Sequence, residues 1–249
     1  MNRIISVRHV GFTVIELLVV TTIISVLIGV VLPTLGTTRE LVRSVQCKSN
    51  LRQIAIATQV YADAFNRSYP FSQYFDVSSD RWYKWDFTSV FGPDGVQFEP
   101  GLIWQYGADT QIHQCPSFQG SDRAGGEPYT GYNYNTSYIG RGEVAGWMAP
   151  AHVEDVRTPT DCVLFGDGQF AGGANKFMRA PFQSPYDNAG VPPSAGTQGF
   201  RHSASTTNAG FADTSVRSFG GRYSKTDSWM PVADRTGFLS ENNDLYDLE

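Results

Sequence analysis

Cysteine, histidine and net positive charge are all scarce in this chain. Three cysteines, Cys47, Cys115 and Cys162, are too few for a disulfide framework and form no CxxC knuckle, so they allow at most one bridge and one spare thiol. The four histidines include no HExxH pair, and no GxSxG elbow accompanies them, which removes the common zinc-protease and serine-hydrolase signatures. Basic residues do not outnumber acids: 19 Lys and Arg stand against 24 Asp and Glu, a formal charge of −5. A nucleic-acid partner needs a basic face, and none is expected. Disorder is equally unexpected, because hydrophobic residues reach 41% and charged residues only 17%. What is plentiful is Gly (25), Pro (13) and aromatic side chains (5 Trp, 12 Tyr, 16 Phe), which suits a loop-rich, strand-containing domain better than a helical bundle. At 249 residues there is room for one globular head and an appendage.

The appendage is visible at once. Between Phe12 and Leu35 the only ionisable side chain is Glu16. Those 24 residues exceed the roughly 20 that a helix needs to cross a hydrocarbon core. Arg3 and Arg8 precede the stretch and nothing basic follows until Arg39, so the N-terminus should face the cytoplasm and the rest of the chain the outside. A cleavable secretory signal has a shorter apolar region, about 7 to 15 residues, and a small-residue cleavage site behind it. A plain anchor gives no reason for Glu16, since a carboxylate in an apolar span is costly and ordinarily has a partner or a purpose.

The stretch Gly11-Phe12-Thr13-Val14-Ile15-Glu16-Leu17-Leu18 resembles the class III signal of type IV prepilins and type II secretion pseudopilins. The resemblance implies cleavage by a prepilin peptidase between Gly11 and Phe12, methylation of the new N-terminal Phe12, and a Glu at the fifth mature position, where Glu16 falls. Pro33 falls at the twenty-second mature position, where many members of that family carry a helix-distorting proline. Physically, Glu16 is then positioned to pair with the freed ammonium of Phe12 on a neighbouring subunit, a device for register more than for adhesion. Pro33 would let the helix adapt locally by removing one backbone hydrogen bond.

Beyond Pro33 the pattern becomes amphipathic. Leu41, Val45, Leu51, Ile54, Ala55, Thr58, Tyr61, Ala62 and Phe65 recur at spacings of three and four with one longer gap, with charges between them, and Asn66-Arg67-Ser68-Tyr69-Pro70 ends the run. The reading is a leader over 1–11, an apolar helix over 12–35, its amphipathic continuation over 36–66, a head over 67–240 and a solvated acidic tail over 241–249. Residues 71–160 read as a long loop-rich insertion with short helical and strand pieces. Within it Tyr132-Asn133-Tyr134-Asn135 reads as locally packed in preference to a carbohydrate-facing patch, and the sequons at Asn66 and Asn135 are frequent by chance. Residues 161–165 read as a buried strand closed by Gly166-Asp167-Gly168, and 207–212 with 215–219 as a hairpin turning at Asp213-Thr214. The fold class expected is α+β, with a long N-terminal helix packed on a C-terminal antiparallel sheet, which is the pilin plan.

A second resemblance concerns a subgroup of prepilin-like proteins whose heads carry His, nine residues, then Asp-Gly. Cys47-Lys48-Ser49-Asn50-Leu51-Arg52-Gln53-Ile54, Cys115-Pro116-Ser117, and Arg201-His202 with Phe211-Ala212-Asp213 resemble its elements. Here ten residues separate His202 from Asp213, and Thr214 stands where the Gly would be. Of the thiols, Cys162 reads as buried in its strand, and Cys47 with Cys115, the two in subgroup-like elements, as the pair to bridge helix and insertion in an oxidising compartment. His202, Asp213, Asp167 and His152 show no metal-site spacing and read as a polar clasp in which His202 bonds near Asp213. The tail (Glu241, Asn242, Asn243, Asp244, Asp247, Glu249) carries oxygen ligands of the kind calcium takes, without a calcium loop. No cofactor and no enzymatic activity are expected. The reading is a pseudopilin or minor-pilin-like subunit in the cytoplasmic membrane, whose partners are prepilin peptidase and other pilin-like subunits. The rivals are a membrane-anchored binding module and an anchored hydrolase.

Overall fold

A computed structural model of the chain describes residues 12–104, 112, 114–121, 126–128, 131–142, 148–171, 173–224 and 230–249. The fold is α+β: one long N-terminal helix followed by antiparallel and mixed sheets. Two compact units divide it, Met1–Glu40 and Leu41–Glu249.

In the first unit the helix α1, Val14–Ala64, begins. Its apolar side chains from Phe12 to Leu35 are exposed, and it is long and apolar enough to cross a membrane. The hydroxyls along it bond back to carbonyls of the preceding turn: Thr21 and Thr22 to Leu18 O (3.0 and 2.7 Å), Ser25 to Thr21 O (2.7 Å), and Thr34 to Val31 O (2.8 Å). Such back-bonding leaves these hydroxyls little need for water, which is the condition an apolar surrounding imposes. Pro33 lies inside the helix and leaves the Gly29 carbonyl without its usual donor.

In the second unit α1 turns amphipathic. Its buried residues, Cys47, Asn50, Leu51, Ile54, Ala55, Thr58, Tyr61 and Ala62, follow the helical period. Leu41, Val45 and Phe65, expected on this stripe, are exposed. The stripe begins instead at Cys47, and polar Asn50 and Thr58 lie on it because they bond inside, Thr58 Oγ1 to Ile54 O at 2.9 Å. The helix closes with Asn66 and Arg67 at positive φ and Arg67 N–H on Ala62 O (2.8 Å), two residues from the expected end.

Four strands come next: β1 Gln73–Asp76, β2 Arg81–Lys84, β3 Phe87–Gly92 and β4 Gly95–Pro100, an antiparallel meander in sequence order. This sheet lies where a loop-rich insertion was expected. Its last hairpin turns at Pro93-Asp94, with Gly92 opposite Gly95 and Gly95 at φ +109°. Pro presets the first turn position and Gly accepts the positive φ, so the turn is written in the sequence.

The larger sheet has order β10-β9-β6-β5-β7. It comprises β5 Asn133–Asn135, β6 Val163–Gly166, β7 Phe177–Met178, β9 Thr207–Phe211 and β10 Val216–Phe219, antiparallel except for the β5–β7 pair. A two-stranded piece, β8 Gln198–Gly199 with β11 Thr236–Gly237, completes the strands. The β9–β10 hairpin and β6 stand where the sequence placed them. Between helix and sheets, Trp85, Tyr134 and Phe165 form an aromatic group with ring centroids 4.8 to 6.0 Å apart.

Tyr132 to Asn135 are buried, and Asn135 Nδ2 donates to Val163 O (2.9 Å) and Tyr246 O (2.7 Å), so this sequon is locked inside the fold. The C-terminal tail is not solvated as expected. Tyr246 is fully buried, Leu239 N–H donates to its hydroxyl (2.8 Å), and Val163 N–H reaches Leu245 O (2.8 Å). Leu245, Tyr246 and Leu248 give an acidic segment apolar anchors that its charge had obscured.

A buried ion pair, Lys176 Nζ to Asp86 Oδ2 at 2.5 Å, holds the segment entering β7 to the start of β3, and Pro128 O takes a second Lys176 proton (2.7 Å). Burial pushes the Asp86 carboxyl up and the Lys176 ammonium down, against their mutual attraction. Removing one partner strands the other charge away from water. Asp86→Ala should therefore lower stability by about 3–5 kcal/mol in urea unfolding, and Asp86→Leu with Lys176→Met should recover most of it. A double variant as unstable as the single one would show that the cost is packing.

Candidate functional site

Four chemically active side chains from four parts of the head converge beneath the buried stripe of α1. Cys47 comes from the helix. Cys115 opens a Cys-Pro turn whose carbonyl takes Phe118 N–H (3.0 Å). Asp167 directly follows β6, and His202 lies in an isolated bridge with Thr206 just before β9. All four are buried, and their ligand atoms lie within 4.8 Å of one another.

Asp167 is the hub. Its Oδ1 accepts from the Cys47 thiol (3.1 Å) and Arg201 Nη2 (3.0 Å), and its Oδ2 from His202 Nε2 (3.0 Å) and Asn208 N–H (2.7 Å). Cys115 Sγ lies 3.8 Å from His202 Nε2 and accepts from Arg201 Nε at 3.3 Å. Arg201 also donates to Gly168 O (3.2 Å) and Gly131 O, and stacks 5.2 Å from the Phe118 ring. Gly131 adopts φ +102°, and a Cβ there would sit 2.8 Å from Cys115 Cβ, so the chain can pass the thiol this closely only as glycine.

This crowding sets the protonation states. Burial would raise the Asp167 carboxyl, but Arg201 and His202 hold it below its ordinary value. Burial would lower His202, yet Asp167 and Cys115 push it up to about 10. For Cys115 burial is outweighed by Cys47, Arg201 and His202, which bring it down to about 6, while burial, Cys115 and Asp167 push Cys47 well up. The surroundings thus favour the ionised forms of Cys115, His202 and Asp167 beside the Arg201 guanidinium, and the neutral form of Cys47. Sulphur, imidazole and carboxylate are also the donors that a divalent transition metal takes.

The sequence pointed to several of these residues with different partners. His202 bonds Asp167, whereas Asp213 is exposed in the β9–β10 turn, where it accepts Ser215 N–H (2.9 Å). Thr214 takes φ +68° in that turn without a glycine. His152 is exposed and outside the group. Cys47 and Cys115 come together as the bridge required, but both are free thiols, as is buried Cys162. Asn243, one of the tail residues considered for calcium, uses its amide on Tyr138 Oη (2.7 Å) and Phe182 O (3.0 Å). Among the described residues the tail acids form no donor group. A cavity of about 440 Å³ elsewhere in the head is lined by Gln73, Phe177, Arg179 and Val191 among others, and contains none of the four residues.

Toward the N-terminus, Gly11 lies outside the described residues, and Phe12 is exposed. Glu16 closes a capping box: Thr13 N–H donates to its Oε2 (2.9 Å), and Glu16 N–H donates to Thr13 Oγ1 (3.2 Å). Sequence reasoning missed this use of Glu16, although Thr-x-x-Glu at the head of an apolar run is its signal.

The family model described as a protein of unknown function (DUF1559) matches residues 36–91, under a quarter of the chain, from the later part of α1 into β3. No curated protein and no solved structure matches the chain.

Because Asp167 serves four donors without solvent, Asp167→Ala should cost about 3–5 kcal/mol of unfolding free energy, whereas Asp213→Ala should behave as an ordinary surface change. Equal losses in urea titrations would restore the His202–Asp213 clasp.

Proposed function

We propose that the chain is a pilin-like structural subunit of a secretion or surface fibre, held by α1 in the cytoplasmic membrane before assembly. The observation that carries this reading is the N-terminal segment itself. An exposed apolar helix with self-bonded hydroxyls carries one ionisable group, Glu16, at its very start. A core helix would bury those side chains, and a helix cap alone engages only Oε2 of the carboxylate.

On this reading prepilin peptidase cuts between Gly11 and Phe12, Phe12 is methylated, the N-terminus starts in the cytoplasm, and the head lies outside. Neighbouring subunits then associate through their apolar helices. Both hydrogen bonds from Thr13 go to Oε2 of Glu16, and among the described residues Oε1 accepts none, so it can receive a neighbour's Phe12 ammonium. The hydrolase alternative draws little support: the His202 group is closed and the open cavity lies elsewhere.

A second reading, a surface-binding module, rests on one observation. The β1–β4 sheet exposes Trp82, Phe91, Val96 and Phe98, side chains that strand pairing sets on one face. Trp82→Ala with Phe98→Ala should leave fibre incorporation intact, and abolish adhesion only if this second reading is right.

Two measurements test the main reading. Mass spectrometry of the mature protein should find methylated Phe12 as its first residue; an intact Met1 or a cut beyond Leu35 overturns it. Glu16→Gln keeps a capping side chain and loses the charge, while Glu16→Val loses both. If a neighbour reads the charge, both variants insert in the membrane but neither enters fibres. Assembly of Glu16→Gln at the original level would reduce Glu16 to a helix cap.

A further inference from the structure

We propose that Cys47, Cys115, Asp167 and His202 form a closed structural site for one divalent transition metal, best matched by zinc. The inference is independent of the membrane reading.

Geometry is the first support. A tetrahedral zinc with sulphur at about 2.3 Å and nitrogen or oxygen at about 2.0–2.2 Å separates its ligand atoms by about 3.3–3.8 Å. The separations here are 3.1 Å for Cys47 Sγ to Asp167 Oδ1, 3.0 Å for His202 Nε2 to Asp167 Oδ2 and 3.8 Å for Cys115 Sγ to His202 Nε2. With a single oxygen taken from Asp167, the four ligand atoms lie within 4.8 Å of one another, so an ion would draw the wider pairs in toward these tetrahedral edges. Protons now hold the four together, one on Cys47 and one on His202 Nε2, and the ion would take the place of both.

Charge balance is the second. Two thiolates and one carboxylate bring three negative charges, and a divalent ion with the Arg201 guanidinium brings three positive. Arg201 is placed for this, donating both to Cys115 Sγ and to Asp167 Oδ1. Asn208 N–H fixes the other carboxylate oxygen at 2.7 Å. Such outer donors orient ligands and are a regular part of metal sites.

The third support is a poorly satisfied donor. The Tyr132 hydroxyl is buried without a well-formed hydrogen bond, and the Cys47 sulphur is the acceptor beside it. A buried donor without a good acceptor is costly. A metal-bound Cys47 thiolate is a stronger acceptor for it than the neutral thiol, whose sulphur accepts only weakly.

Burial of all four ligands leaves no open coordination position, which is the form of a structural site and not of a catalytic one. The ion would join α1, the Cys-Pro turn, the end of β6 and the approach to β9 at a single point, and would be captured as the head folds.

The test uses the full-length chain in detergent, purified without chelator and refolded from the reduced state with zinc present. Elemental analysis should find about one zinc per chain. Cobalt in its place should give the intense near-ultraviolet absorption of thiolate ligation and the visible bands of a tetrahedral ion. Cys47→Ser and Cys115→Ser should each hold under about a tenth as much zinc, and Cys162→Ser the full amount. If the serine variants fail to fold, the metal content and cobalt spectrum of the unaltered protein still decide. A metal-free folded protein, or a Cys47–Cys115 disulfide found by non-reducing peptide mapping, overturns the proposal.

Discussion

A carboxylate removed from water is tolerable only when donors replace its hydration, and the head is organised around one such group. Asp167 has no exposed surface and receives a thiol, a guanidinium, an imidazole and a backbone N–H on its two oxygens. The donors come from three parts of the chain: the helix, the adjacent pair Arg201-His202, and the start of β9. Satisfying this one group therefore fixes where the helix, the Arg201-His202 segment and strand β9 lie with respect to β6, and Arg201 in turn holds the Cys-Pro turn through Cys115 Sγ. Apolar packing by Leu51, Ile54, Trp85 and Phe165 supplies most of the driving force, but it is nondirectional. The polar hub selects one arrangement among those that would bury the same surface.

The helix answers to two solvents. From Val14 to Pro33 its side chains are exposed, and its hydroxyls close on its own carbonyls. From Cys47 onward one face is buried at helical spacing, and the residues on that face include Cys, Asn and Thr because the head offers them partners. One continuous helix thus carries a segment that wants lipid or like helices and a segment that wants a specific protein surface. The family match starts at residue 36, near that change of character.

What the sequence revealed follows from how local each signal was. Helix α1, strand β6 and the β9–β10 hairpin were legible because periodicity, apolar runs and a turn lie within a few residues of one another. The β1–β4 meander was equally local, and its Pro93-Asp94 turn was there to be seen, but dense aromatics without clean alternation masked it. The hub could not be read in this way. Cys47 and Asp167 are 120 residues apart, and Arg201 and Asp167 are 34 apart, so no spacing rule joins them. Only the resemblance to a family's scattered elements singled out Cys47, Cys115 and His202, and it paired His202 with Asp213. The tail was misread for a related reason: composition counts its acids, whereas position puts Leu245, Tyr246 and Leu248 on the core.

Glu16 shows how a local role and a proposed intermolecular one can share a side chain. A helix N-terminus presents unpaired N–H groups and a partial positive charge, so a carboxylate three residues in is stabilised by its own helix before any neighbour arrives. That lowers the cost of keeping the charge at the edge of an apolar span, which a lone carboxylate further along would bear in full. It also aims the group. With Oε2 tied to Thr13, the side chain is held at the mouth of the helix, and Oε1 accepts no hydrogen bond among the described residues. A neighbour's ammonium would then meet a carboxylate that is already oriented, so that little conformational freedom remains to be lost on pairing. The capping box is, on this argument, what makes an ion pair in an apolar helix bundle affordable, and its Thr13 is as much a part of the proposed assembly device as Glu16.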